Sequence, residues 1–134
     1  MSRKIFVNLP VKDLDRSVDF FTKTGFEFNP QFTDENASCM VVSENNLVML
    51  LVEPFFQSFS KKDITDTAQS SEVIVALSAD SREEVDELVD RALANGAATH
   101  GDPQDQGPMY GRSFRDLDGH IWEVMWMDPA ALEG

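Results

Sequence analysis

Basic residues are scarce in this chain: 11 lysines and arginines stand against 24 aspartates and glutamates, for a formal net charge of -13. Such a charge opposes a phosphate backbone and an anionic bilayer, so nucleic acid and membrane surfaces are set aside as partners. Cysteine is nearly absent. The single residue Cys39 excludes an internal disulfide and points to a reducing compartment. It lies in the apolar run 37–42 and reads as a small core residue, with no histidine in a predictable position beside it to make it a nucleophile. Histidine is also rare, and His100 and His120 each read as packing or surface residues. No apolar run approaches membrane-spanning length. The apolar stretch near the N-terminus is broken by Asn8 and Pro10 before a signal-peptide core forms, so a cytoplasmic protein is expected.

What is present describes a folded domain. With 42% apolar and 26% charged residues, the composition is that of a globular protein and not a disordered one, and 134 residues suit one domain. The stretch from Arg112 to Trp126 organises the reading: a strand, a tight turn at Asp116-Leu117-Asp118-Gly119, and a return strand, Ile121 to Trp126. That return strand is apolar on both faces apart from Glu123. A carboxylate in such surroundings is costly unless it is paired or hydrogen-bonded; otherwise its pKa rises. Glu123 is therefore the candidate catalytic residue.

Taken in order, Lys4 to Val11 predicts a strand, and Asp13 caps a helix whose apolar face is Leu14, Val18, Phe20 and Phe21, ended by Gly25. Three strands follow, at 26–33, 37–43 and 47–52, split by polar turns. Residues 54–70 form a linker. It opens with Phe55, Phe56 and Phe59, which fit a lid or a subunit contact as well as a surface connection, and Ser60-Lys61-Lys62-Asp63 resembles a helix start. The pattern then restarts with a strand at 71–79, a helix opened by the capping box Ser81-Arg82-Glu83-Glu84, a stop at Asn95-Gly96, a short strand near 98–100 and the closing hairpin.

Strand, helix and three strands are thus stated twice, in module 1 (about 3–53) and module 2 (about 71–128) of a single domain, 1–134. Phe6 falls opposite Ile74, and matching the turn Asn45-Asn46 to Asp118-Gly119 sets Leu50 opposite Glu123. A ferredoxin-like split fold allows two strands between its helices, where four are counted here. The expected fold class is α+β: two βαβββ modules pairing into one curved mixed sheet with a central cup and helices on the outer face.

The segment Val11 to Phe21 with Gly25-Phe26, and Phe114-Arg115-Asp116-Leu117-Asp118-Gly119-His120 with Glu123, resemble the opening and closing motifs of the vicinal oxygen chelate superfamily. That group contains glyoxalases, bleomycin-resistance proteins, fosfomycin-resistance proteins and extradiol dioxygenases. The resemblance spans nearly the whole chain and implies the paired βαβββ fold and a homodimer. In the family's metal-using members, ligands come from the first and last strands of each module. Those places are Phe6, Leu50, Ile74 and Glu123 in this sequence, and only Glu123 binds metals, so no metal site and no cofactor are expected. The cup would then be a small-molecule pocket lined by Phe6, Asn8, Leu50, Ile74, Arg112 and Met125. One bulge before Asp116 would exchange Tyr110 and Arg112 on the cup face for Gly111 and Ser113, so the pattern leaves that choice open.

Three functions follow from this. The first is a protein binding a small organic molecule without a divalent metal. The second is a glyoxalase-type lyase, isomerase or dioxygenase with Glu123 as metal ligand or general base. The third is a non-catalytic domain with a filled cup. The residues at the four ligand positions favour the first and third.

Overall fold

The computed structural model describes residues 3–132. The chain divides after Thr65 into two compact units.

Unit 1 begins with strand β1 (Ile5–Val11), followed by helix α1 (Leu14–Thr24). Asp13 caps α1 by accepting from the Arg16 N–H at 3.1 Å, and Gly25 ends it at φ 122°, where a side chain would be strained. Strand β2 (Glu27–Asn29) is much shorter than the apolar pattern at 26–33 predicts. Pro30 withholds an N–H from the ladder and opens a 3-10 turn (Pro30–Phe32), with the Asn29 side chain accepting from the Gln31 N–H at 2.9 Å. Strands β3 (Ala37–Ser43) and β4 (Asn46–Val52) complete a sheet ordered β1-β4-β3-β2, with β1 parallel to β4. Helix α2 (Glu53–Ser60) follows at once, inside the expected linker. Its start is fixed by Pro54 in the first turn, and the segment expected to begin a helix at Ser60 in fact ends one: Lys61 takes the left-handed conformation at φ 58° and donates its N–H to the Gln57 carbonyl.

Unit 2 repeats the plan. Strand β5 (Ile74–Ser78) leads to helix α3 (Arg82–Ala94), capped by Ser81 accepting from the Glu84 N–H at 3.0 Å. The short strands β6 (Ala98–Thr99) and β7 (Gln104–Asp105) precede the hairpin of β8 (Met109–Arg115) and β9 (Ile121–Met127), and helix α4 (Pro129–Leu132) follows. The sheet order is β5-β9-β8-β6, with β5 parallel to β9 and β7 pairing with β8. Each unit thus carries a parallel pair made by its first and last strands, and the fold is α+β as the sequence predicts.

Each sheet has one face committed to core. In unit 1, α1 packs on β2, β3 and β4, and Leu9, Val11, Met40, Val48 and Leu50 are at most 2% exposed, as are Phe20 and Phe21. In unit 2, α3 packs on β8 and β9, burying Val85, Val89 and Ala92 together with Phe114, Trp122 and Val124. Phe114 and Trp122 are cross-strand partners with nearly parallel rings, centroids 6.3 Å apart. Each such aromatic contributes roughly 2–3 kcal/mol through buried area.

Candidate functional site

Residues directly opposite in a sheet share a face, so the registers assign every candidate residue. In unit 2 the face turned away from α3 carries Ile74, Ala76 and Ser78 of β5, Ile121, Glu123 and Met125 of β9, and Gly111, Ser113 and the exposed Arg115 of β8, whose Nη2 donates to the Thr99 carbonyl at 3.3 Å. Glu123 lies between Ala76 and Ser113. The face is open: Ile74 is 53% exposed, Ala76 and Ser78 are exposed, and Glu123 and Met125 are half-buried. The Glu123 carboxylate has no hydrogen-bond or ion-pair partner among the described residues. Gly111 confirms the grouping, because a Cβ placed there would come within 3.2 Å of Met125 Cγ. The missing side chain makes room for the methionine.

Arg112 lies on the opposite face, which corrects its placement among the ligand-binding residues. It pairs in register with the buried Val124, and its Nη1 donates to Asp86 Oδ1 at 2.9 Å and Asp90 Oδ1 at 3.0 Å on α3. The Tyr110 hydroxyl donates to the same Asp86 oxygen at 2.6 Å, and the Arg82 guanidinium stands 4.3 Å above the Tyr110 ring. The Tyr110 hydrogen bond, with Arg112 beside it, holds the Asp86 carboxyl below its ordinary range. The bond to Asp86, with burial, in turn raises the Tyr110 phenol. These residues clamp helix to sheet.

In unit 1 the face turned away from α1 carries Phe6, Asn8 and Pro10 of β1 with Leu47, Met49 and Leu51 of β4. Leu50 is therefore not on it, a second correction. Leu50 pairs with Leu9 in the core and is fully buried. The turn-matching behind the expectation is off by one residue. Phe6 is the counterpart of Ile74; Phe6 pairs with Leu47 and Ile74 with Ile121, so the residue corresponding to Glu123 is Met49. The two hairpins differ in length, with Glu44 and Asn45 joining β3 to β4 and residues 116–120 joining β8 to β9, and β3 also has a bulge between Val41 and Ser43. A one-residue slip sends a strand's side chains to the other face.

Helix α2 packs on β1 and β4. Phe56, Phe59 and Ser60 line, with Asn8 and Leu51, an open pocket of about 300 Å³. The sequence leaves the phenylalanine cluster open between a lid, a subunit contact and a surface connection; in the structure the helix that carries it packs on its own unit's sheet. Cys39, paired with Met49, is fully buried, and that burial pushes its thiol up, away from nucleophilic use.

The two ends of the β8–β9 hairpin are fixed by Asp116. Its Oδ1 accepts from the N–H groups of Asp118 at 2.9 Å and His120 at 3.0 Å, and its Oδ2 from Trp122 Nε1 at 2.9 Å. Burial pushes the Asp116 carboxyl up, against these three donors and the nearby His120. Gly119, at φ 83°, gives the turn its conformation and makes room for Thr67, whose hydroxyl donates to the Asp118 carbonyl at 2.6 Å. The carboxylate of the motif thus orients the strand that presents Glu123.

The four places where metal-using relatives hold ligands carry Phe6, Met49, Ile74 and Glu123: two hydrocarbons, a thioether and a carboxylate. A catalytic divalent site takes about three nitrogen, oxygen or thiolate donors, and this set does not fit one. Among the described residues no three of histidine, cysteine, aspartate and glutamate are grouped so as to hold a metal.

A β-α-β-β-β unit occurring twice, each with a parallel first-and-last pair, defines a duplicated α+β class. Within it the chain belongs to the Glyoxalase/Bleomycin resistance protein/Dioxygenase superfamily, whose family model matches residues 5–124. Hypothetical protein SA1046 from S. aureus is 29% identical with a TM-score of 0.79, over 94% of this chain and 95% of that one. TnmS3, an antibiotic binding protein from Streptomyces sp. CB03234, is 18% identical with a TM-score of 0.63, over 95% and 97%. The genomically encoded fosfomycin resistance protein FosX from Listeria monocytogenes is 22% identical with a TM-score of 0.66, over 94% and 91%. No curated protein matches the chain.

Proposed function

We propose that this chain binds a small organic molecule and uses no divalent metal centre. The observation that carries the reading is the open face of β5, β9 and β8: mostly apolar or small side chains, with Arg115 at the margin, around one carboxylate that no described residue pairs. A partnerless acid on such a surface is positioned to meet a polar group of a ligand, while the surrounding residues offer area for its apolar part. That a neighbour in fold is an antibiotic binding protein is consistent with this use of the fold. The proposal extends to a homodimer in the cytoplasm. Strands β1 and β5 are edges of their sheets and expose Ile5, Phe6 and Ile74, apolar edges of the kind that proteins cover. Among the described residues no helix is long and apolar enough to cross a membrane.

Thermal unfolding of the full chain, against a panel of aromatic amines, neutral aromatics and divalent cations, tests the function. Organic compounds raise the midpoint of the wild type, and Glu123→Gln loses the shift for the amines. A stoichiometric shift by a divalent cation that Glu123→Gln abolishes would instead favour a metal-dependent enzyme.

A further inference from the structure

Asn8 is the odd residue of β1. Amides are depleted in strands, and its neighbours on the same face, Phe6 and Pro10 along the strand with Met49 and Leu51 across it, are all apolar. Yet its side chain is exposed and makes no hydrogen bond to any described residue. The packing of α2 explains what the amide faces. Phe55 and Phe59, one turn apart, meet edge to face with centroids 4.9 Å apart, so the half-buried Phe55 steadies a Phe59 that is 66% exposed. A large aromatic held in place while exposed, lining a pocket with Phe56, Leu51 and Asn8, is a surface waiting for an apolar partner.

The chemistry of the lining narrows that partner. No charged side chain lines the pocket, so an ionised ligand gains no counter-charge there. The Ser60 hydroxyl is already engaged, donating to the Lys62 carbonyl at 3.2 Å and accepting from the Lys62 N–H at 3.3 Å. The Asn8 amide is left as the specific polar group, offering both N–H donors and a carbonyl acceptor. A pocket of about 300 Å³ lies at the small end of ligand cavities and suits one substituted ring.

We infer that unit 1 holds a binding site of its own, in which α2 is an aromatic cover and Asn8 reads a neutral, planar, single-ring compound with an amide-like donor–acceptor edge. The inference rests on the chain being a small-molecule binder, but it does not involve Glu123.

Amide proton–nitrogen NMR spectra of the full chain tests it, with benzamide as probe and toluene and benzoate as comparators lacking the neutral amide edge. Millimolar benzamide shifts the Asn8 side-chain amide pair and the backbone amides of Leu51, Phe56, Phe59 and Ser60, and toluene and benzoate bind about tenfold more weakly. Asn8→Ala weakens benzamide about tenfold and leaves toluene unchanged, Phe59→Ala weakens both, and Phe32→Ala, an exposed aromatic outside the pocket, weakens neither. Absence of benzamide binding, or binding unaltered by Asn8→Ala and Phe59→Ala, overturns the site. Shifts gathered around Glu123 and absent from α2 overturn it while leaving the proposed function standing.

Discussion

Asp116 shows how much one buried carboxylate holds together. Both its oxygens accept, from two backbone N–H groups and the Trp122 indole. Asp116→Asn keeps the shape but turns a donor toward one of those donors, and is expected to destabilise the fold by about 1–3 kcal/mol in chemical unfolding. An unchanged midpoint would show that the three bonds contribute nothing net. Tyr110 gives a prediction with a sign. Its hydrogen bond is the main cause of the lowered Asp86 pKa, and a carboxyl whose folded pKa is depressed stabilises above its unfolded pKa and loses that contribution as pH falls through the folded value. Tyr110→Phe should therefore raise the Asp86 pKa in NMR titration and destabilise at neutral pH, the deficit closing in acid. Asp86 is partly exposed, so the effect is small. At this scale the sequence was legible wherever chemistry is local: the Asp13 and Ser81 caps, the Gly25 stop and the singularity of Glu123 all follow from residue type. The facing of Arg112 does not, because alternation along a strand gives relative faces and only the partner helix, with Asp86 and Asp90, says which is which.

Among the elements, α2 is where local rules and structure part. Ser-Lys-Lys-Asp has the composition of a helix start, but Pro54 had already set one helix going and Lys61 closes it in a left-handed conformation. A non-glycine residue pays for that backbone, so Lys61→Gly is expected to raise stability by about 0.5–1 kcal/mol, read as a higher unfolding midpoint. A drop would mean that the Lys61 side chain contributes more than the strain costs. The β3–β4 hairpin carries the other lesson. Its apolar pattern predicts the strands nearly to the residue, yet turn alignment places Leu50 on the wrong face, because one hairpin is shorter and bulged. Existence and order of strands follow from apolar periodicity; register depends on turn geometry, and with a period of two an error of one is a complete exchange. The βαβββ order of each half is legible, since capped helices and apolar strands recur in the same order in both; α2, the two-residue β7 and α4 carry no comparable apolar period and are not.

For the molecule as a whole, the net charge of -13 and the residues at the ligand positions belong to one account. Such a charge attracts cations without selecting among them, but holding a catalytic ion takes converging donors, and Phe6, Met49 and Ile74 supply none beside Glu123. The chain has the family's scaffold, and the side chains its strands present at these places are the ground of the proposed metal-free reading. The most direct measurement is elemental analysis of the full chain, purified without an affinity tag and dialysed without chelator. The account predicts well under one divalent ion per chain, unchanged in Glu123→Gln. One ion per chain, lost in Glu123→Gln, would contradict it.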